Sequence, residues 1–154
     1  MTDRFNKFIP FILEWETEYN KDGSVRTERD PDDPGGTTRY GIDQRSHPRV
    51  DINSLTLEQA KDIYFKEWTN ANIEDMPTGL GEVYFNALVN AGEGRARKLS
   101  ALSGGSPKRF IMEQGKFYRK LSEGRPVMRK FLRGWINRLN ALWDFLKLGN
   151  PTTT

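Results

Sequence analysis

Cysteine is absent from this chain of 154 residues, which excludes disulfides and thiolate metal sites. A single histidine, His47, excludes a multi-histidine metal centre and leaves no other histidine to activate a serine. Long apolar runs are missing as well. The run Phe8-Ile9-Pro10-Phe11-Ile12-Leu13 stops at Glu14, far short of the roughly 20 residues of a membrane span. It is also too short for a signal-peptide core, and no small-residue cleavage site follows it. The expectation is a chain made in the cytoplasm without a signal peptide, with no stable membrane insertion and no metal or other cofactor. No internal repeat and no low-complexity linker is visible.

What is present is a composition of 36% hydrophobic and 12% aromatic residues, too apolar for disorder. A chain of this length buries roughly 70% of its unfolded surface, enough for one domain. Its charge is split along the sequence. Met1 to Gly94 holds 10 basic and 18 acidic residues, and Arg95 to Thr154 holds 14 and 3. An acidic front and a basic back point to an anionic polymer partner, nucleic acid or bacterial cell wall, or simply to a solvated basic helix face.

Hydrophobic spacing predicts a mainly α chain of the α+β class. Phe5, Ile9, Ile12, Glu16 and Tyr19 fall on one stripe of a helix over 4–19, with Glu14 and Glu18 about 200° away. Asp22-Gly23 predicts a two-residue hairpin with a type I′ turn. The prolines and glycines of 30–38 predict an irregular loop that is neither helix nor regular strand, and Tyr40-Gly41-Ile42 a short strand. From Thr56 onward the chain reads as helix. Thr56-Leu57-Glu58-Gln59 is a capping box, with Leu55 set to staple against Ala60. Ala60, Ile63, Tyr64 and Trp68 form its stripe. Pro77 opens the next helix, a short one follows over 96–102, and Ser106-Pro107 caps another. The last helix carries Met128, Phe131, Trp135, Leu139, Leu142 and Trp143, with Arg129, Lys130, Arg133 and Arg138 mostly off its stripe. Pro151–Thr154 is expected to fray.

Carboxylates gather where the first helix meets the hairpin. Glu16 shares a face with apolar side chains, and Asp30, Asp32 and Asp33 follow on the loop. A carboxyl among apolar neighbours resists ionisation and can donate a proton near neutral pH, while a hydrated one stays charged. Glycoside hydrolysis uses such a pair. Equally, Glu16 can be a boundary residue and the aspartates turn formers or a cation-binding loop.

Ile12-Leu13-Glu14-Trp15-Glu16-Thr17-Glu18-Tyr19 followed by Asp30-Pro31-Asp32-Asp33-Pro34-Gly35-Gly36-Thr37-Thr38-Arg39-Tyr40-Gly41-Ile42 resembles the N-terminal signature of glycoside hydrolase family 108. These are peptidoglycan-cleaving muramidases found as phage endolysins and bacterial secretion activators. Phe85-Asn86-Ala87-Leu88-Val89-Asn90-Ala91-Gly92 resembles the family's next helix, and Phe117-Tyr118-Arg119 with Phe131 to Arg138 resembles its C-terminal, peptidoglycan-binding segment. The likeness spans roughly residues 5 to 142. It implies a single lysozyme-like domain over 1–154, with a catalytic portion 1–75 carrying a hairpin at 19–42, a helical portion 76–146 and a tail 147–154.

By that resemblance Glu16 is the general acid, Asp33 supports positive charge at the sugar carbon or the attacking water, and Thr38 holds that water. Asp30 is a second carboxylate candidate. Trp15, Tyr19 and Tyr40 are candidates to stack on sugar, and Asn86 and Asn90 to bind it. His47, in a Ser46-His47-Pro48 loop, reads as a bystander. Three departures stand out. Thr17 and Glu18 replace two glycines of the family pattern, the gap from Tyr19 to Asp30 is longer, and Asn86 stands where the family usually has aspartate. The expected partners are peptidoglycan glycan strands and a holin or other release factor, for a monomer that does not bind nucleic acid. The expected action is on the wall, in the periplasm, after release. The alternative is a non-catalytic wall-binding module that assists secretion.

Overall fold

The structure, a computed structural model, describes residues 1–149 apart from the side chains of Asp33 and Pro34; the tail expected to fray, Pro151–Thr154, lies outside the described residues. Among the described residues it is mainly helical, with six α-helices and a three-stranded antiparallel sheet, the α+β class read from the sequence. The residues cluster into two compact units, one from Met1 to Asn70 and one from Ala71 onward.

The first unit is built from α1 (Asp3–Glu16), the strands β1 (Thr27–Asp30), β2 (Asp33–Arg39) and β3 (Ile42–Asp43), and α2 (Leu57–Asn70). Thr2 caps α1 by accepting from Phe5 N–H at 3.2 Å. One face of α1 buries Phe5, Phe8, Ile9 and Ile12. Phe5 stands edge-on to Phe65 and Trp68 at 5.0 and 5.5 Å, an arrangement worth roughly 0.5–1.5 kcal/mol per pair beyond area burial. The capping box at Thr56 and Gln59 forms reciprocally, at 2.9 and 3.2 Å.

Four local expectations change here. The first helix ends at Glu16, because Thr17 turns to extended backbone, so Tyr19 leaves the stripe. The Asp22-Gly23 turn is not type I′. Only Gly23 has positive φ (+86°), and Asn20 N–H reaches Ser24 C=O across a three-residue loop, a type I turn closed by a left-handed glycine. The stretch expected as irregular loop is strand, yet Arg29 alone stands opposite Pro34-Gly35-Gly36-Thr37 between the pairs Glu28–Thr38 and Asp30–Asp33. Gly35 and Thr37 carbonyls accept instead from Arg45 and Gln44 on the other side, so the strand persists through an enlarged bulge. Tyr40-Gly41 is not strand but the turn joining β2 to β3.

The second unit holds α3 (Leu80–Ala91), α4 (Glu93–Ser103), α5 (Pro107–Gly124) and α6 (Arg129–Phe145). The helix expected to open at Pro77 begins at Leu80, because Gly79 sits at φ +89° and its N–H donates to Glu82 Oε1. Ser106 caps α5 by accepting from Arg109 N–H. On α5 and α6 the Tyr118 and Trp135 rings stack at 4.7 Å. Arg138, expected off the stripe, is buried at 5% exposure. Among the described residues no helix is long and apolar enough to cross a membrane.

Candidate active site

Helix α1 delivers Glu16 as its last residue, on the stripe of Phe5, Ile9 and Ile12. What meets it is the β2–β3 turn. Tyr40 and Gly41 have φ +55° and +77°, the type I′ signature. Positive φ is uncommon for a bulky residue, and two contacts hold Tyr40 there. The Tyr64 hydroxyl, from α2, donates to Tyr40 C=O at 2.7 Å, and the Arg39 guanidinium lies 5.3 Å from the Tyr40 ring centre. A Cβ built on Gly41 would fall 2.7 Å from Glu16 Cβ, Glu16 Oε2 and Tyr64 Oη alike. Glycine therefore satisfies both the turn and the close approach. Glu16 Oε2 and Tyr64 Oη converge on one point and are no further apart than twice that distance.

Arg39 ties the sheet down. Its Nε donates to Leu55 C=O at 2.9 Å, and Nη1 donates to Val25 C=O and Thr27 Oγ1 at 2.9 and 3.2 Å. Beside the turn opens a notch of about 20 Å³ lined by Glu16, Glu18, Arg26, Glu28, Thr38 and Arg39 together with Tyr40 and Gly41, room for about one water. Thr38 Oγ1 donates to Gly36 C=O at 3.0 Å. Glu18, one of the residues replacing the family's glycines, is exposed on this rim.

The structure thus brings Glu16, Thr38 and Tyr40 together. Asp30 is exposed at the β1–β2 turn, where its carboxylate accepts from Asp32 N–H at 2.9 Å, a turn-forming role. The Asp33 side chain lies outside the described residues. Trp15 is half-buried, 6.4 Å from the Phe11 ring, and Tyr19 is 61% exposed in a bridge to Val25. In the second unit Asn86 is fully buried and its Oδ1 accepts from Arg138 Nε at 2.9 Å. Asn90 is half-buried and donates to the Tyr118 hydroxyl, which also accepts from Gln114 at 3.0 Å.

Three residues near Glu16 were not singled out by sequence. Tyr64 reads in the sequence only as part of the core stripe of α2. Glu67 lies on α2 with Oε1 3.7 Å from His47 Nε2. Burial pushes the Glu67 carboxyl above its ordinary range; His47 opposes the shift, and the charges of Asp43 and Glu16 add to it. Desolvation also acts to raise Asp43, but bonds from Ser46 and the nearby His47 outweigh it and leave Asp43 below its ordinary range. Exposed Asp22 is lowered by hydrogen bonds from the Ser24 hydroxyl and N–H.

The sequence pattern of glycosyl hydrolase 108 matches residues 9–92. That span covers more than half of the chain, including Glu16, β2 and the turn against which Glu16 packs. The chain belongs to glycosyl hydrolase family 108. No curated protein matches it significantly. Membership of family 108 implies lysozyme-like peptidoglycan hydrolysis.

Proposed function

We propose that the protein is an N-acetylmuramidase that cleaves the β-1,4 bond between N-acetylmuramic acid and N-acetylglucosamine, with Glu16 as general acid. The observation that carries this reading is the placement of Glu16. It ends a helix whose face is otherwise apolar, and it passes close to Gly41 at the edge of the one-water notch beside Thr38. Glu16 gives its proton to the glycosidic oxygen as the bond to the muramic acid C1 breaks. Water then adds its oxygen to C1 and releases its remaining proton to solvent, from which Glu16 is reprotonated. Thr38 donates its own proton to Gly36 C=O, so its oxygen acts toward that water as an acceptor. Asp33 is the carboxylate that supports positive charge at C1, by the family pattern.

The released products are glycan strands with reducing muramic acid ends, and the biological role is wall lysis after release by a holin-like partner. The basic second half of the chain suits attraction to anionic wall polymers. Turbidity loss of purified sacculi tests the reading. Glu16→Gln is expected to lower the rate about 10²–10⁴-fold without altering the unfolding transition. Full lysis by that variant would refute it. Sacculus binding by the wild type with no release of reducing ends would identify a non-catalytic wall-binding module instead.

A further inference from the structure

The β1–β2 ribbon carries a carboxylate that has no part in the hydrolytic steps above. Glu28 lies on β1 directly opposite Thr38 on β2. Residues paired in this way put their side chains on the same face of the ribbon, with Cβ atoms about 4.5–5.5 Å apart. Adjacent residues along the strand take the other face. Thr27 Oγ1 accepts from the Arg39 guanidinium, and Arg29 donates through Nε and Nη2 to Asn53 Oδ1 at 3.0 and 2.9 Å. Glu28, between them, therefore points away from that side. The notch agrees with this direction, since Glu28 and Thr38 border it together with Glu16.

The notch has room for about one water. Thr38 donates its hydroxyl proton to Gly36 C=O at 3.0 Å, so its oxygen meets that water as an acceptor. A carboxylate is an acceptor too. A water between Thr38 and Glu28 gives one O–H to each, and its lone pairs are left to face a sugar carbon. Arg26, two residues before Glu28, brings Nη2 to 3.7 Å of Glu28 Oε1. A carboxylate offers about four acceptor sites, so this loose pairing steadies Glu28 and leaves sites for the water. Both side chains are about half-exposed, within reach of a glycan strand. Glu18 also borders the notch, but it lies outside the strands and is not paired with Thr38.

We propose that Glu28 is a catalytic base that takes a proton from the attacking water. This inference rests on reading Glu16 as the general acid, and it names the group through which the water's proton reaches solvent. As the bond from C1 to the glycosidic oxygen breaks, the Glu16 proton passes to that oxygen. The water oxygen bonds to C1 while one water proton passes to the Glu28 carboxylate, and the other stays on the new hydroxyl. Glu28 then gives its proton to solvent and Glu16 takes one back, so the site returns to its starting state. Asp33 keeps the separate part that the family pattern gives it, support of positive charge at C1.

The test is cleavage of soluble glycan fragments by Glu28→Ala with and without azide. Azide attacks C1 with no proton to lose, so it bypasses a missing base but not a missing acid or a damaged fold. Glu28→Ala is expected to lower kcat about 10²–10⁴-fold with an unchanged unfolding transition, and azide to restore turnover with a glycosyl azide as product. Glu28→Gln should be comparably slow, because an amide does not take the proton. A purely structural role would leave azide without effect. Where the wild type releases reducing ends, three results would overturn the proposal and leave the hydrolytic reading standing: wild-type activity in Glu28→Ala, a loss that azide does not relieve, or azide rescue of Asp33→Ala in place of Glu28→Ala. A wild type that releases no reducing ends would overturn both.

Discussion

Replacing Gly41 with alanine tests how the β2–β3 turn holds Glu16. Two effects add. The residue sits at φ +77°, where a Cβ costs about 1–2 kcal/mol. The new methyl would also come 2.7 Å from Glu16 Cβ, Glu16 Oε2 and Tyr64 Oη, and relieving such overpacking costs about 1–3 kcal/mol. The sum, about 2–5 kcal/mol, is a large part of the stability of a typical domain. Gly23 supplies the control. It has φ +86°, and a methyl added there would have nothing within 4 Å, so Gly23→Ala carries the backbone strain alone. Urea unfolding at constant slope gives both values. Gly41→Ala should exceed Gly23→Ala by about 1–3 kcal/mol. It should also lose wall lysis about 10²-fold in its folded fraction, because displacement of a reacting group by about 1 Å has that effect. Equal stability of the two variants, with lysis intact in both, would refute the packing of Glu16 on this turn.

Tyr64→Phe removes the hydroxyl that donates to Tyr40 C=O; a loss of about 1–2 kcal/mol is expected in urea unfolding, with a fall in lysis rate that Phe65→Leu does not share. Asn86→Asp would face the buried Arg138 with a carboxylate, and thermal unfolding should show equal or higher stability, whereas Asn86→Ala strips an acceptor from that guanidinium and should cost about 2–4 kcal/mol. Stability against pH should separate Asp43 from Glu67. Asp43 lies below its ordinary range, so its contribution is present above the unfolded carboxylate range and lost as pH falls through its folded value. Glu67 lies above its range, so its contribution is present at low pH and lost as pH rises through its folded value. Glu67→Gln should therefore match wild type near about pH 4 and exceed it near about pH 7 in denaturant unfolding.

Much of the local geometry around the candidate site was legible because it depends on local pattern. The 3.6-residue spacing alone put Glu16 on the buried face of α1, and the cap residues Thr56, Gln59 and Ser106 announced their helices. The turn chemistry was misassigned between two Gly-containing pairs. Asp22-Gly23 has the composition of a type I′ turn, yet Tyr40-Gly41 forms it, since Tyr64 and Arg39 hold a tyrosine at positive φ. Nothing local to residue 40 signals those partners. Arg138 did carry a readable signal. It stands three residues after Trp135 and four before Leu142, in line with the core stripe, and its basic character masked that position. Glu67 was less accessible to sequence reading, because its burial and its pairing with His47 come from parts of the chain distant in sequence.

The most direct test of the central claim is mass analysis of the muropeptides released from purified sacculi by the wild type and by Glu16→Gln. The expected result is fragments ending in reducing muramic acid from the wild type and none above background from the variant, with both proteins showing the same unfolding transition. Anhydro-muramic ends from the wild type, or unchanged release by Glu16→Gln, would contradict it.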